Sequence, residues 1–141
     1  MGGTWEATGD SASGSAFRIQ STFDWEPSLE VVRARSCTLN GDGEATPWLE
    51  AYVYRQVRTD ALACLALSRW GAVYEGNATV LDGGALQFDL KAYEDDRSVP
   101  QVARFELGKD GRLRTRVWSV DGAGRTLRLD VEHTRVGSKR D

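Results

Sequence analysis

Several of the residues that metal binding, catalysis and membrane insertion require are scarce in this sequence. It has one histidine, His133, and two cysteines, Cys37 and Cys64, among 141 residues. The cysteines lack the partner spacing of a metal site, and both fall inside apolar runs, where a thiol serves as a small buried hydrophobe. No apolar stretch approaches the roughly 20 residues that a helix needs to span a bilayer. The strand pattern starts at Thr4, leaving no room for a signal peptide, and Glu6 stands where N-myristoylation wants Ser or Thr. A net charge of −3 gives no electrostatic footprint for nucleic acid. Gly-x-Ser-x-Gly, a Cys–His pair and paired catalytic carboxylates are all missing. These absences describe a reduced, cytoplasmic protein with neither a nucleic-acid nor a membrane partner.

What the chain does have is a regular beat of turn signals. Breaks such as Asn40-Gly41-Asp42-Gly43, Asp82-Gly83-Gly84, Lys109-Asp110-Gly111 and Asp121-Gly122-Ala123-Gly124 separate runs of strand character. Ten strands are expected: Thr4–Thr8, Ala16–Glu26, Leu29–Leu39, Trp48–Arg58, Ala61–Arg69, Ala72–Leu81, Ala85–Tyr93, Pro100–Leu107, Leu113–Val120 and Thr126–Val136. Only Ala61–Arg69 has helix propensity, and its two- or three-residue flanking turns favour a strand. Length and composition fit one domain, residues 1–136, with a short C-terminal tail at 137–141.

Alternation within the runs carries the architecture. Phe17, Ile19, Phe23 and Trp25 share one face of the second run, against Arg18, Gln20, Thr22 and Asp24 on the other. Leu86, Phe88 and Leu90 oppose Gln87, Asp89 and Lys91, and Leu127, Leu129 and Val131 oppose Arg128, Asp130 and Glu132. One apolar and one polar face define an antiparallel sheet with a solvated outside. With no amphipathic helix to cover the apolar face, the sheet has to bury it against itself. An all-β fold follows: a single antiparallel up-and-down β-barrel, whose closure also removes exposed edges.

Gly3-Thr4-Trp5 matches the Gly-x-Trp motif that opens calycin and lipocalin barrels. Phe23-Asp24-Trp25-Glu26, Tyr54 before Thr59-Asp60, Tyr74-Glu75-Gly76, Leu81-Asp82-Gly83-Gly84, Ser119-Val120-Asp121-Gly122 and Glu132-His133-Thr134-Arg135 follow in order. In these the chain resembles the lipocalin-like DUF1579 family, itself similar to nitrobindin-type ten-stranded barrels. The resemblance implies a calycin-like barrel in which Trp5 packs at the closed end beneath Arg135. It also raises haem as a cofactor on a histidine of the last strand. Two departures argue against haem: that histidine belongs nearer Arg128, and Glu6-Ala7-Thr8 replaces a glycine-rich stretch. No cofactor or metal is expected.

His133 shares the inward parity of the last run, where it is a core histidine, a ligand contact or a general acid–base group. Arg33 and Arg35 share parity with Leu29, Val31, Cys37 and Leu39. Facing inward, they would meet the acidic or carbonyl end of an apolar ligand whose body lies against Phe17, Phe23 and Phe88. A β-bulge would instead return them to solvent. Trp118, beside Arg114 and Arg116 on the outward face, is a candidate homodimer contact. The function expected is binding of a small apolar or amphiphilic molecule, with an isomerase- or cyclase-type cavity enzyme as the alternative.

Overall fold

The computed structural model describes residues 2–10 and 14–137; the last four residues of the expected tail lie outside that range. Ten strands succeed one another: β1 (Gly3–Asp10), β2 (Ala16–Glu26), β3 (Val31–Leu39), β4 (Ala45–Arg55), β5 (Leu62–Ser68), β6 (Val73–Val80), β7 (Leu86–Glu94), β8 (Arg97–Leu107), β9 (Leu113–Asp121) and β10 (Gly124–Arg135). Each pairs antiparallel with its neighbours in sequence, and β10 pairs with β1, closing the barrel. There is no helix among the described residues, hence none long and apolar enough to cross a membrane. The fold is the all-β, up-and-down barrel that the alternation and turn spacing require, with calycin-like architecture.

The strand limits shift where local chemistry overrides pattern. Strand β3 starts at Val31 because the amide of Leu29 donates to Glu26 O (3.3 Å) and Glu30 takes φ +53° to leave the turn. Strand β4 begins three residues earlier than expected, at Ala45. Its pairing with β3 steps from Ser36↔Leu49 to Cys37↔Pro47, leaving Trp48 as the extra residue of a bulge. A second bulge lies at Arg128, between the pairs Leu127↔Trp118 and Leu129↔Val117. A single inserted residue reverses parity, so Leu127 leaves the interior and is half exposed. Trp25, at the end of β2, is exposed as well.

Inside the barrel, Cys64, Ala78, Phe88 and Ala103 form the buried core, with Val53, Leu62, Leu86, Leu90, Phe105 and Val117 packed around it. Phe105 meets Phe23 and Phe88 edge-on, at centroid distances of 6.1 and 5.5 Å. The first contact reaches from β8 to β2, strands that do not pair, which identifies this face as the lumen side. Burial holds the Cys64 thiol protonated, its pKa raised to about 11.

One glycine limits how β6 and β7 meet. A Cβ on Gly76 would sit 2.0 Å from Asp89 O and 2.9 Å from Leu90 Cα, both backbone atoms. No rotamer change relieves such a contact, so the strands would have to separate. Gly76→Ala is expected to destabilise by roughly 3 kcal/mol, the upper part of the overpacking range. Gly122→Ala, where a Cβ meets nothing within 4 Å, is the control. Denaturant midpoints of the two variants check the difference.

Candidate functional site

The lumen wall can be followed through the pairing. One ring of inward positions runs Phe23–Ala34–Ala51–Ala66–Tyr74–Ala92–Val99 across β2 to β8. The next runs Val32–Val53–Cys64–Gly76–Leu90–Gln101–Ser119 across β3 to β9. A third runs Trp5–Ser21–Ser36–Leu49–Ser68. Alanine, glycine, serine and cysteine dominate one side of this wall. Barrels of about eight strands are just filled by ordinary side chains; ten strands enclose more space, and small residues fill less of it.

At one end Trp5 and Arg135 close the barrel. Trp5 is buried inside, and the Arg135 guanidinium lies over its ring at 5.8 Å. The same guanidinium donates to Gly2 O at 3.0 Å. Its Nη2 lies 3.2 Å from where a Cβ on Gly3 would stand, and Gly3 has φ +106°, so glycine suits that position on two counts. Cation–π contact, hydrogen bond and strand pairing all converge there.

Next to this plug stand two polar side chains without partners. His133 pairs across the sheet with Leu113 and Ala7, and Thr115 with Val131 and Phe105. Both belong to the inward face. His133 is 4% exposed and Thr115 6%, and neither imidazole nitrogen nor the threonine Oγ1 has a hydrogen-bond partner. By contrast, Ser21 Oγ and Ser36 Oγ bond to each other at 2.9 Å inside the same lumen. A buried polar group left unpaired costs about 1–3 kcal/mol, so the His133–Thr115 corner is where the interior is least satisfied. Burial lowers the His133 pKa, and the imidazole is neutral with one donor and one acceptor nitrogen.

Arg33 and Arg35 are not part of this lumen, which corrects the inward expectation. The lumen side of β3 is Val32, Ala34 and Ser36, and both arginines point outward. Arg33 Nε pairs with Glu50 Oε1 at 2.7 Å, and Arg35 Nη2 with Asp24 Oδ2 at 2.9 Å. The Glu50 carboxylate also accepts from Tyr52 Oη at 2.5 Å, and the two bonds hold its pKa below the usual range. No bulge in β3 is involved, since the extra residue lies on β4. The cause is the cost of enclosing two guanidinium groups, which cross-strand carboxylates outside remove.

Of the other expected lumen residues, Phe23 and Phe88 belong to the aromatic cluster. Phe17 lies further along β2, against Gly9, where a Cβ would approach its Cζ to 2.7 Å. Trp118 faces outward between Arg104 and Arg116, whose guanidinium carbons lie 6.0 and 5.5 Å from its ring centroid. Thr115 was missed; its inward parity beside His133 was readable, but threonine on a strand carries no distinguishing signal.

A separate open groove of about 680 Å³ runs from Tyr54 on β4 across β5 to β8 and reaches Val120 of β9 and Arg125 of β10, mostly against outward residues. It gathers Glu75, Asp89, Lys91 and Arg125, while the Tyr93 hydroxyl already donates to Glu75 at 3.1 Å. None of the orphaned buried groups lies there. Among the described residues no cluster of three or more His, Cys, Asp or Glu is placed to hold a metal ion.

The structure therefore defines a closed, ten-stranded, calycin-like barrel with a small-residue wall, a plugged end and a polar corner. No protein-family model matches the chain, and no curated protein matches it significantly.

Two predictions follow from the plug and the corner. Trp5→Ala should cost about 3–5 kcal/mol, whereas Trp25→Ala and Trp70→Ala should cost under about 1 kcal/mol. Trp5 is 3% exposed and the other two are 61% and 73%; urea midpoints for the three variants rank them. His133 titrates below its ordinary value of about 6.5 in the folded chain, so the unfolded chain binds its proton first. This group's contribution is fully present above about pH 6.5 and is lost as pH falls toward the folded pKa. Stability measured from about pH 7.5 to about pH 5.5 should fall in the wild type and stay flatter in His133→Gln.

Proposed function

We propose that the barrel carries a small apolar or amphiphilic molecule in its lumen. The supporting observation is a lumen face on which Ala34, Ala51, Ala66, Ala92, Cys64 and Gly76 stand beside the Phe23, Phe88 and Phe105 cluster. Small side chains fill less of a ten-stranded barrel than ordinary ones, and the aromatic edges among them supply apolar contact, the usual make-up of a small-molecule pocket. The resemblance to the lipocalin-like DUF1579 family accords with this reading, as does the Trp5–Arg135 plug. In this reading the ligand enters from the end opposite that plug, where the β3–β4 turn (residues 40–44) and the β5–β6 turn (residues 69–72) lie.

Filling the space tests the proposal. Ala51 lies in the middle of β4, inward and half-buried. Wild-type protein should bind a solvatochromic apolar dye such as Nile red with a blue-shifted emission. Ala51→Phe should keep the far-ultraviolet circular dichroism of the barrel and weaken the dye about tenfold or more, equivalent to about 1.4 kcal/mol. Equal affinity in both proteins, or no dye binding by the wild type, rejects a lumen site.

A further inference from the structure

We propose that His133 and Thr115 recognise the uncharged polar head of the lumen ligand, which carries both a hydrogen-bond donor and an acceptor, as an alcohol does. The inference rests on the lumen reading above and adds the ligand's head-group chemistry.

Both side chains are more than nine-tenths buried and lie on the inward face of neighbouring strands, one pleat apart. All three of their polar side-chain atoms lack partners. Inward neighbours supply none: the residues paired with them are Leu113, Ala7, Val131 and Phe105. Nothing titratable sits across from the imidazole on β1 or β9. The nearest charge on its own strand and face is Arg135, committed to Gly2 O and to the Trp5 ring. A neutral imidazole offers one donor and one acceptor, and a threonine hydroxyl offers one donor with two acceptor sites. A ligand hydroxyl both accepts and donates, so it can bond to one ring nitrogen in either role while exchanging a second bond with the threonine hydroxyl; the two ring nitrogens point apart, and one hydroxyl meets one of them. A carboxylate only accepts, leaving the imidazole's acceptor nitrogen unpaired, and it brings a charge into an apolar surround.

Packing closes over both nitrogens, so the head group reaches them by displacing a side chain. Phe105 is the one placed to move. It lies directly across from Thr115, is only half-buried, and touches Phe23 and Phe88 by ring edges. Ligand entry then exchanges an aromatic contact for hydrogen bonds to groups that had none.

Because His133 is the sole histidine, imidazole NMR reports on this site without ambiguity. The probes are decanol, its methyl ether, which lacks the donor, and decanoate, measured by calorimetry on the full chain. Decanol should bind about tenfold more tightly than the ether, the effect of one hydrogen bond formed in a dry site. It should also move the His133 nitrogen resonances, and decanoate should bind more weakly than decanol. His133→Phe should bring decanol to the affinity of the ether, and Thr115→Val should do so in part. Equal binding of decanol and ether, with unmoved imidazole resonances, overturns the head-group assignment while leaving the lumen intact. Tighter binding of decanoate also overturns it. Failure of all three probes to bind overturns the lumen reading and this inference with it.

Discussion

Charge has no place in the interior of this barrel, and the rest of the structure follows from that. On the inward parity of the strands, charged residues occur only at strand ends: Arg55, Glu94, Arg97, Asp121 and Arg135. Everything between is apolar, small or a neutral hydrogen-bonding group. The cost of desolvating a guanidinium or carboxylate exceeds what a single contact inside returns. Outside, where the cost is small, the charges are arranged across strands. Glu6 accepts from Arg18 and Gln20, Arg114 holds Asp130 by two bonds of 2.8 and 2.7 Å, and Arg116 pairs with Glu106. Each exposed pair adds little stability by itself. Together they make the pairing register costly to shift, because a one-residue slip would carry every such group to the wrong face.

The same constraint explains the two kinds of polar group inside. Ser21 and Ser36 satisfy each other and ask nothing of a ligand. His133 and Thr115 do not, although the barrel could have been sealed there with leucine or valine. An apolar replacement would spare the desolvation cost, and that cost is why these two groups, rather than the serines, carry the head-group proposal. The plug beside them separates this polar corner from solvent. Arg135 there is a cation at a strand end, held by an aromatic face and a carbonyl rather than by an opposite charge.

The barrel itself was legible in the chain because two-residue alternation and turn residues are local signals. All ten expected strands form, and β2 has the limits its pattern implied. The misreadings occurred where parity passed through a local irregularity or relied on an element's end. Leu127 looked inward until the extra residue at Arg128 reversed it. The orientation of β3 was read from Leu29, Val31, Cys37 and Leu39, yet Leu29 lies in a turn and Leu39 ends the strand. The middle of that strand decides the matter, where Ala34 and Ser36 fit the lumen and two arginines find carboxylates outside. Those carboxylates, Asp24 and Glu50, lie on flanking strands, so the deciding partners were distant in sequence. Inward His133 was readable from parity alone; its lack of partners depends on the packing of β1, β9 and β10 together.

Nine of the ten strand pairings join neighbours in the chain, and the seam between β1 and β10 joins its two ends. Short-range hairpins can form early, because their loop-closure entropy is small. The seam must bring Trp5 to Arg135 across nearly the whole sequence, and it has no nearer partner to wait with. Until it forms, the sheet exists as an open ribbon with two bare edges, the form in which β-proteins join one another. Trp5, Gly3 and Arg135 thus act in time as well as in space: how fast they lock sets how long the chain is vulnerable to adding a strand from a second copy.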